Sequence, residues 1–314
     1  MEATMRYRIL HETRYLYASP VVLSQQLLHL TPRNLPWQQC SAHHIKIDPQ
    51  PAEDLDREDY FGNSVKQILL AAPHDVLSVR AESEVQTRAH AEQDVGVPAD
   101  GWETLRDRLR SPPGEPLFEP SHYVYESPQV ECLPELRVYT QPSFPRGRGV
   151  FDAARELARR IHADFEFDST ATSIATRMRE VFEHRRGVCQ DFAHLMIGCL
   201  RSLGLAARYV SGYILTVPPA GRPRLIGADA SHAWVSVYCG EAGWVDIDPT
   251  NDCLVDDEHI TLAWGRDFSD VTPMRGVVLG GGEQDLQVHV TVSNLAEESP
   301  VPAPQSRGDI NRSS

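Results

Sequence analysis

Cys189 is the residue whose surroundings best fit nucleophilic chemistry. It follows Arg185, Arg186 and Gly187, and the spacing of apolar residues after it predicts that it opens a helix. The positive end of the helix dipole and two nearby guanidinium groups would favour thiolate over thiol. A free thiol, with a pKa of about 8.5, needs such help or an adjacent base to act as a nucleophile at neutral pH. Taken alone, the position also fits a small, inert core residue at the start of a helix.

A predicted β-hairpin supplies a histidine and a carboxylate for the same chemistry. Residues 232–238 alternate so that His232 lies on the face opposite an apolar layer, and residues 244–248 place Asp246 and Asp248 on one face of the returning strand. If Tyr238 pairs with Ala242, His232 lies directly opposite Asp248. If Tyr238 instead pairs with residue 244, the two are diagonal neighbours, still within reach.

Each of these two residues has a purely structural interpretation as well. His232 fits a partly buried strand histidine, and Asp248 fits an Asx-type turn before Pro249. Together with Cys189, however, they are the parts of a Cys-His-Asp triad, with Asp246 as second choice for the carboxylate. In such a triad the histidine takes the thiol proton, the aspartate fixes its tautomer and the thiolate attacks a carbonyl. The backbone N–H of Cys189 is a natural oxyanion donor.

Four segments in order resemble the successive core motifs of bacterial transglutaminase-like proteins. They are residues 186–194 (RGVCQDFAH), 204–213 (GLAARYVSGY), 231–235 (SHAWV) and 243–251 (GWVDIDPTN). The resemblance implies Cys189 as nucleophile, His232 as base and Asp248, in preference to Asp246, as the third member. It implies a papain-like α+β fold in which the helix-start cysteine packs on an antiparallel sheet. Residues 5–85 resemble the β-rich region that precedes this core in bacteria, and residues 265–282 its C-terminal extension.

Pattern and composition divide the chain into five parts. We predict a β-rich, sandwich-like domain at residues 1–90, a Pro-rich surface linker at 91–150 and the catalytic core at 151–255. Within the core, helical spacing predicts helices over 151–161, 170–182 and 189–203, followed by antiparallel strands. A β extension at 256–295 and a disordered, Pro- and Ser-rich tail at 296–314 complete the chain.

Charge and cysteine usage exclude several classes of function. The 314 residues contain 44 acidic and 30 basic side chains, a net charge of −14, which argues against a nucleic-acid partner. No apolar run is long enough to span a membrane, and no signal-peptide pattern opens the chain, so we expect a cytoplasmic protein that does not bind membranes. The six scattered cysteines fit reduced thiols.

Three further residues are candidates for contacting substrate: Trp234, Trp244 and Asp191. The two tryptophans share faces with His232 and Asp248, so they either line the cleft or belong to the core. Asp191, with His194, is on the same helix as Cys189; a metal site there would lack a second cluster of ligands. A hydrogen-bonding role near the helix start is the alternative, and we expect neither a metal nor a cofactor.

The sequence therefore predicts a cysteine-dependent amide hydrolase or acyltransferase acting on a peptide or protein amide. Cys189 would form a thioester, which water resolves in a peptidase or amidase and an amine resolves in a transglutaminase. Water is the default acceptor unless a site excludes it, which favours hydrolysis. The alternative is a non-catalytic protein- or peptide-binding module that retains the fold.

Overall fold

The computed structural model describes residues 4–90, 101–111, 115–169, 176–215 and 231–295. The strands are β1 (Thr4–Leu28), β2 (Gln38–Asp48), β3 (Glu53–Glu58), β4 (Ser64–Leu70), β5 (His74–Arg88), β6 (Glu166–Phe167), β7 (Arg186–Gly187), β8 (Ala207–Ile214), β9 (Ser231–Tyr238), β10 (Trp244–Asp248), β11 (Cys253–Leu254), β12 (His259–Gly265), β13 (Met274–Gly280) and β14 (Gln284–Asn294). The α-helices are α1 (Trp102–Arg110), α2 (Glu115–Ser121), α3 (Pro134–Thr140), α4 (Val150–Asp164), α5 (Met178–His184), α6 (Cys189–Ser202) and α7 (Phe268–Val271). None of these helices is long and apolar enough to cross a membrane.

The 25-residue strand β1 organises the N-terminal domain. Residues 4–16 of β1 pair with β5, whereas residues 24–28 pair with β4, so the strand passes from one half of the sheet to the other. Apolar side chains from both halves, such as Leu28 and Ile68 on one and Leu77 and Val79 on the other, share one core. The predicted β-rich, sandwich-like N-terminal domain is confirmed.

The C-terminal strands complete this N-terminal sheet. Strand β14 pairs with residues 7–17 of β1 and strand β13 with residues 21–28, on the edges that β5 and β4 leave open. Strand β12 instead joins the core sheet beside β8. The segment that the sequence suggested as one extension, residues 256–295, is thus divided between two sheets. The paired residues lie 246 (Leu28 with Met274) to 287 (Tyr7 with Asn294) positions apart, and such pairing leaves no local signal in the sequence.

The Pro-rich segment differs from the surface linker that we expected. Its described residues form the three helices α1, α2 and α3, and Leu105, Leu109, Leu117 and Leu136 on these helices are buried in the main core. Proline is tolerated in the first turn of a helix, where its missing N–H would have no partner, and Pro134 occupies such a position in α3. The density of proline therefore shortens the helices without preventing them.

The core is a five-stranded antiparallel sheet in the order β11-β10-β9-β8-β12, with α6 packed against β8 and β9. The helices predicted over 151–161 and 189–203 correspond to α4 and α6. Of the one predicted over 170–182, α5 matches the end, while residues 170–175 lie outside the described ranges, as does the tail 296–314. The α+β class, with a helix-start cysteine packed on an antiparallel sheet, is confirmed.

Two side-chain amides attach the N-terminal domain to the outer edge of β12. Gln38 donates to the Thr261 carbonyl and accepts from its N–H, both at 2.8 Å. Asn63 does the same for Trp264, at 2.8 and 3.0 Å. An edge strand otherwise presents unpaired N–H and C=O groups. The two amides act here as a neighbouring strand would, and they fix β12 against the N-terminal domain.

Replacing Gln38 tests this attachment. We expect Gln38→Ala to lower the free energy of unfolding by about 1–3 kcal/mol, because the Thr261 N–H loses its partner in a buried position and the Thr261 C=O keeps only the Arg33 N–H. Urea denaturation followed by circular dichroism measures the loss. The neighbouring Gln39 is exposed on the same strand, so Gln39→Ala is the matched control. Equal stability of the two variants would show that the amide does not stabilise the docked domains.

Candidate active site

His232 and Asp248 are in direct contact at the core of the sheet. His232 Nε2 lies 2.6 Å from Asp248 Oδ2, and the side chain of Asp248 has no accessible surface. Strands β9 and β10 pair Tyr238 with Trp244 and Val235 with Ile247, which makes His232 and Asp248 diagonal neighbours. Of the two registers that the sequence allowed, the structure has the diagonal one.

The Cys189 side chain meets the same imidazole. Cys189 is the first residue of α6, is half-buried, and hydrogen-bonds to the His232 ring. Because Nε2 of that ring faces Asp248, Nδ1 is the nitrogen that remains for the thiol. The three residues that the sequence singled out therefore form one chain of contacts from thiol to imidazole to carboxylate.

The other five thiols lack such an environment. Burial raises the pKa of each of them, to about 12 for Cys199 and Cys239 and to about 11 for Cys253. For Cys40 and Cys132 burial is again the largest cause of a raised pKa. A raised pKa keeps a thiol protonated and unreactive at neutral pH.

The electrostatics of the His232–Asp248 pair favour a charged imidazole. Burial alone would lower the pKa of His232, but the hydrogen bonds with Asp248 and Cys189 outweigh it and raise the pKa to about 10. Burial would raise the pKa of Asp248, and the hydrogen bonds with His232, His259 and Asn251 hold it well below its usual range instead. An imidazolium beside the thiol stabilises a thiolate, so the arrangement can supply both a nucleophile and a proton donor.

Asp248 serves a turn and the imidazole at once. Its Oδ1 accepts from the backbone N–H groups of Thr250 at 2.8 Å and Asn251 at 3.2 Å, which is the Asx-type turn that the sequence offered as an alternative. Its Oδ2 accepts from Asn251 Nδ2 at 2.6 Å and faces His232. The Asx-type turn is therefore present through Oδ1, and Oδ2 remains in contact with the imidazole, as the triad hypothesis requires.

Asn251 and His259 are site residues that the sequence analysis missed. His259 Nε2 lies 3.4 Å from Asp248 Oδ2, and Asn251 Nδ2 lies 3.3 Å from His232 Nε2. Asn251 could have been found, because an Asx turn at Asp248 brings the residue three positions later back to the carboxylate. His259 comes from β12, whose position beside β8 has no local signature.

The start of α6 is held by Asp191. Its Oδ2 accepts from the Val188 backbone N–H at 2.8 Å, across the end of the helix. A Cβ on Gly187 would lie 2.7 Å from this oxygen, so the close approach requires glycine at that position. Asp191, 5% exposed, fixes the helix start that carries Cys189, as the hydrogen-bonding alternative proposed, and is not positioned to contact a substrate.

Arg185 does not assist the thiol as the sequence suggested. Its guanidinium carbon lies 4.5–5.1 Å from the ring centroids of Tyr139, Phe165 and Phe182, an arrangement typical of cation–π contacts. Arg186 is exposed. The local charge that matters is on His232, which comes from another element, and a count of neighbouring arginines could not reveal it.

The two tryptophans proposed to contact substrate have other roles. Trp234 has no accessible surface, and its Nε1 donates to Asp246 at 3.1 Å, so it is a core residue. Trp244 is at the far end of the hairpin, where its ring packs edge-on against Tyr123 and Tyr238. Alternation along a strand predicted the correct face of the sheet for both tryptophans, but it did not predict how far each side chain is buried.

Three groups with metal-ligand character come together in the described part of the chain. The ligating atoms of His232, Asp248 and His259 lie within 4.8 Å of one another. The 2.6 Å between His232 and Asp248 is a hydrogen-bond distance, shorter than the separation of about 3.3 Å that tetrahedral zinc imposes on its ligands. The geometry fits shared protons better than a bound cation.

Two family models match the chain: "Bacterial transglutaminase-like N-terminal region" over residues 7–86 and "Transglutaminase-like superfamily" over residues 143–249. An uncharacterized protein of Mycobacterium tuberculosis is 40% identical over 295 residues, with 91% of each chain covered. A protein-glutamine gamma-glutamyltransferase of Pseudomonas aeruginosa is 39% identical over 71 residues, 22% of this chain and 11% of that protein. The crystal structure of a Cytophaga hutchinsonii protein, proposed to be a cysteine protease, superposes with a TM-score of 0.72 at 19% identity, covering 93% of this chain and 91% of that chain.

The Asp248 carboxylate can be tested through the pH dependence of Cys189 alkylation. In the wild type we expect iodoacetamide to label Cys189 well below pH 8, because the raised pKa of His232 keeps a proton on the ring beside the thiolate. Asp248→Asn removes the anion that raises this pKa, so the imidazole loses its proton at lower pH. The labelling profile should then move up toward that of a free thiol, with a midpoint of about 8.5.

Asp246→Asn is the matched control, because Asp246 is on the same strand and accepts from Trp234. Mass spectrometry of the Cys189 peptide between pH 5 and 10 gives both profiles. An Asp248→Asn profile identical to that of the wild type would contradict the electrostatic role.

Proposed function

This chain belongs to the transglutaminase-like superfamily, and from that premise we propose that it is a cysteine-dependent hydrolase of peptide or protein amides. The observation that carries the proposal is the contact chain Cys189, His232, Asp248, in which a half-exposed thiol meets a buried imidazole–carboxylate pair. The family and the fold support a cysteine-dependent enzyme in general. The reaction and the roles of the three residues are the proposal.

In the first half of the reaction, the Cys189 thiolate attacks the amide carbonyl carbon. The backbone N–H of Cys189, at the first position of α6, has no partner within the helix and can donate to the developing oxyanion. As the C–N bond breaks, the imidazolium of His232 gives its proton to the leaving amine. A thioester on Cys189 and a neutral imidazole remain.

In the second half, water attacks the thioester carbonyl and the neutral imidazole takes one of its protons. The C–S bond then breaks, the carboxylic acid leaves, and the thiolate–imidazolium pair is restored. Asp248 keeps the ring oriented in both halves, and it does not itself take a proton. Its depressed pKa, with five hydrogen-bond donors around the carboxylate, agrees with that role.

Amine transfer is the second candidate, since the Pseudomonas aeruginosa relative is named a transferase. Both reactions share the thioester and differ only in what resolves it. Hydrolysis is preferred because water reaches any site that does not exclude it. A non-catalytic binding role would need none of the contacts among Cys189, His232 and Asp248.

Incubation with a library of glutamine-containing peptides and a biotin-labelled primary amine separates these candidates. We expect shortened peptides or released ammonia in the wild type, with little biotin incorporated. Cys189→Ser should reduce product formation by roughly a thousandfold or more, because the nucleophile is lost. Cys132→Ser, at another half-buried thiol, should react as the wild type does.

Acid-quenched samples analysed by intact mass should contain the acyl-enzyme in the wild type and Cys132→Ser but not in Cys189→Ser. Incorporation of biotin at the expense of hydrolysis would favour the transferase. If neither the wild type nor Cys189→Ser gives any product or acyl-enzyme, the chain is a binding module instead.

A further inference from the structure

A second histidine contacts the buried carboxylate of the site. His259 begins β12, is 7% exposed, and its Nε2 lies 3.4 Å from Asp248 Oδ2. The ring stands edge-on against Trp234, with 5.3 Å between centroids and 81° between planes. Trp234 is itself held by its hydrogen bond to Asp246, so the His259 ring rests on a fixed surface.

The surroundings of His259 favour Nε2 as the donor nitrogen of its ring. Its Nδ1 is buried and has no hydrogen-bond partner among the described residues. An N–H at that position would be buried and unpaired, which costs free energy. With the proton on Nε2, the ring donates to Asp248 and Nδ1 needs no acceptor.

The N-terminal domain holds the segment that carries His259 from both sides. Thr87 Oγ1 donates to the Asp257 carbonyl at 2.7 Å, two residues before His259. Gln38 bonds to both backbone groups of Thr261, two residues after it. The ring thus reaches Asp248 from a backbone segment that the N-terminal domain has fixed at two points.

From these contacts we infer that His259 is a positioning residue, through which the docked N-terminal domain orients Asp248 toward His232. The inference rests on the proposed function, because it assigns a role within that reaction. Asp248 Oδ2, the oxygen that faces His232, also accepts the hydrogen bond from His259 Nε2. Fixing this oxygen from a second direction limits the rotation of the carboxylate and keeps the imidazole aligned with the thiol.

Other titratable groups face His259 from the elements packed around it. Asp248 and Asp246 are on β10, His232 is on β9, and His90 follows β5 in the N-terminal domain. Asp248 and His232 form their own pair, and Asp246 accepts from Trp234. Of these groups, Asp248 is the one that His259 hydrogen-bonds, whereas 6.1 Å separates the His259 and His232 ring centroids, so we expect substitution of His259 to change the reactivity of Cys189 through Asp248.

The test compares two variants of similar polarity, His259→Gln and His259→Asn. The amide nitrogen of glutamine reaches the position of Nε2, whereas that of asparagine falls short of it. We expect His259→Asn to slow alkylation of Cys189 at pH 6 by roughly tenfold or more, as for loss of one hydrogen bond to a charged group. Its pH profile should move toward that of a free thiol, and His259→Gln should restore most of the wild-type rate and profile.

His74→Leu is the matched control, because His74 is 8% exposed, has one ring nitrogen without a described partner and lies in the sandwich domain. It should leave the profile unchanged even if it lowers the melting temperature. A wild-type profile in His259→Asn, or equal losses in the asparagine and glutamine variants, would overturn the inference. If Cys189 of the wild type itself titrates as a free thiol, the proposed function fails first, so the two failures are distinguishable.

Discussion

The buried carboxylate of Asp248 is the constraint on which the rest of this structure depends. Taking a carboxylate out of water costs several kcal/mol unless a charge and hydrogen bonds compensate for it. Here the compensation comes from two backbone N–H groups, the Asn251 amide, His232 and His259. Because the anion can be neither hydrated nor left unpaired, it forces the imidazole to stay beside it. The orientation of the His232 imidazole thus follows from the energetics of burial rather than from a flexible contact.

Such a constraint has to be met by elements that are distant in the chain. The donors to Asp248 come from β9, the turn after β10 and the start of β12, and β12 is an edge strand of the core sheet. An exposed edge is a liability, and Gln38 and Asn63 of the N-terminal domain cover it by bonding to its backbone. Strands β13 and β14, from the C-terminal part of the chain, pair with β1 and complete the sheet of this N-terminal domain. The core motifs therefore depend on residues at both ends of the described chain.

Local patterns in the sequence were sufficient for the central contacts. Period-two alternation placed His232 and Asp248 on one face, and helical spacing placed Cys189 at a helix start, which the structure brings together. The features that the sequence did not predict involve distant segments or the degree of burial. They are the pairing of β13 and β14 with β1, the direction of the Arg185 side chain, and the complete burial of Trp234. Such features arise from packing between distant segments, which no local period encodes. His259 belongs to the same class.

Accessibility decreases in steps along the contact chain, and this gradient matches the demands of thiol chemistry. Cys189 is half-buried, His232 is 8% exposed and Asp248 is not exposed at all. In the proposed reaction the Cys189 sulfur meets the substrate, and Cys189 is the most exposed of the three residues, while the charges beside it lie where the effective dielectric constant is low and their interaction is strong. Complete burial would instead raise the pKa of the thiol, as it does for Cys199 on the same helix. A thiol with this role therefore lies at the end of its helix. There the buried His232–Asp248 pair contacts it from one side, and solvent reaches it from the other.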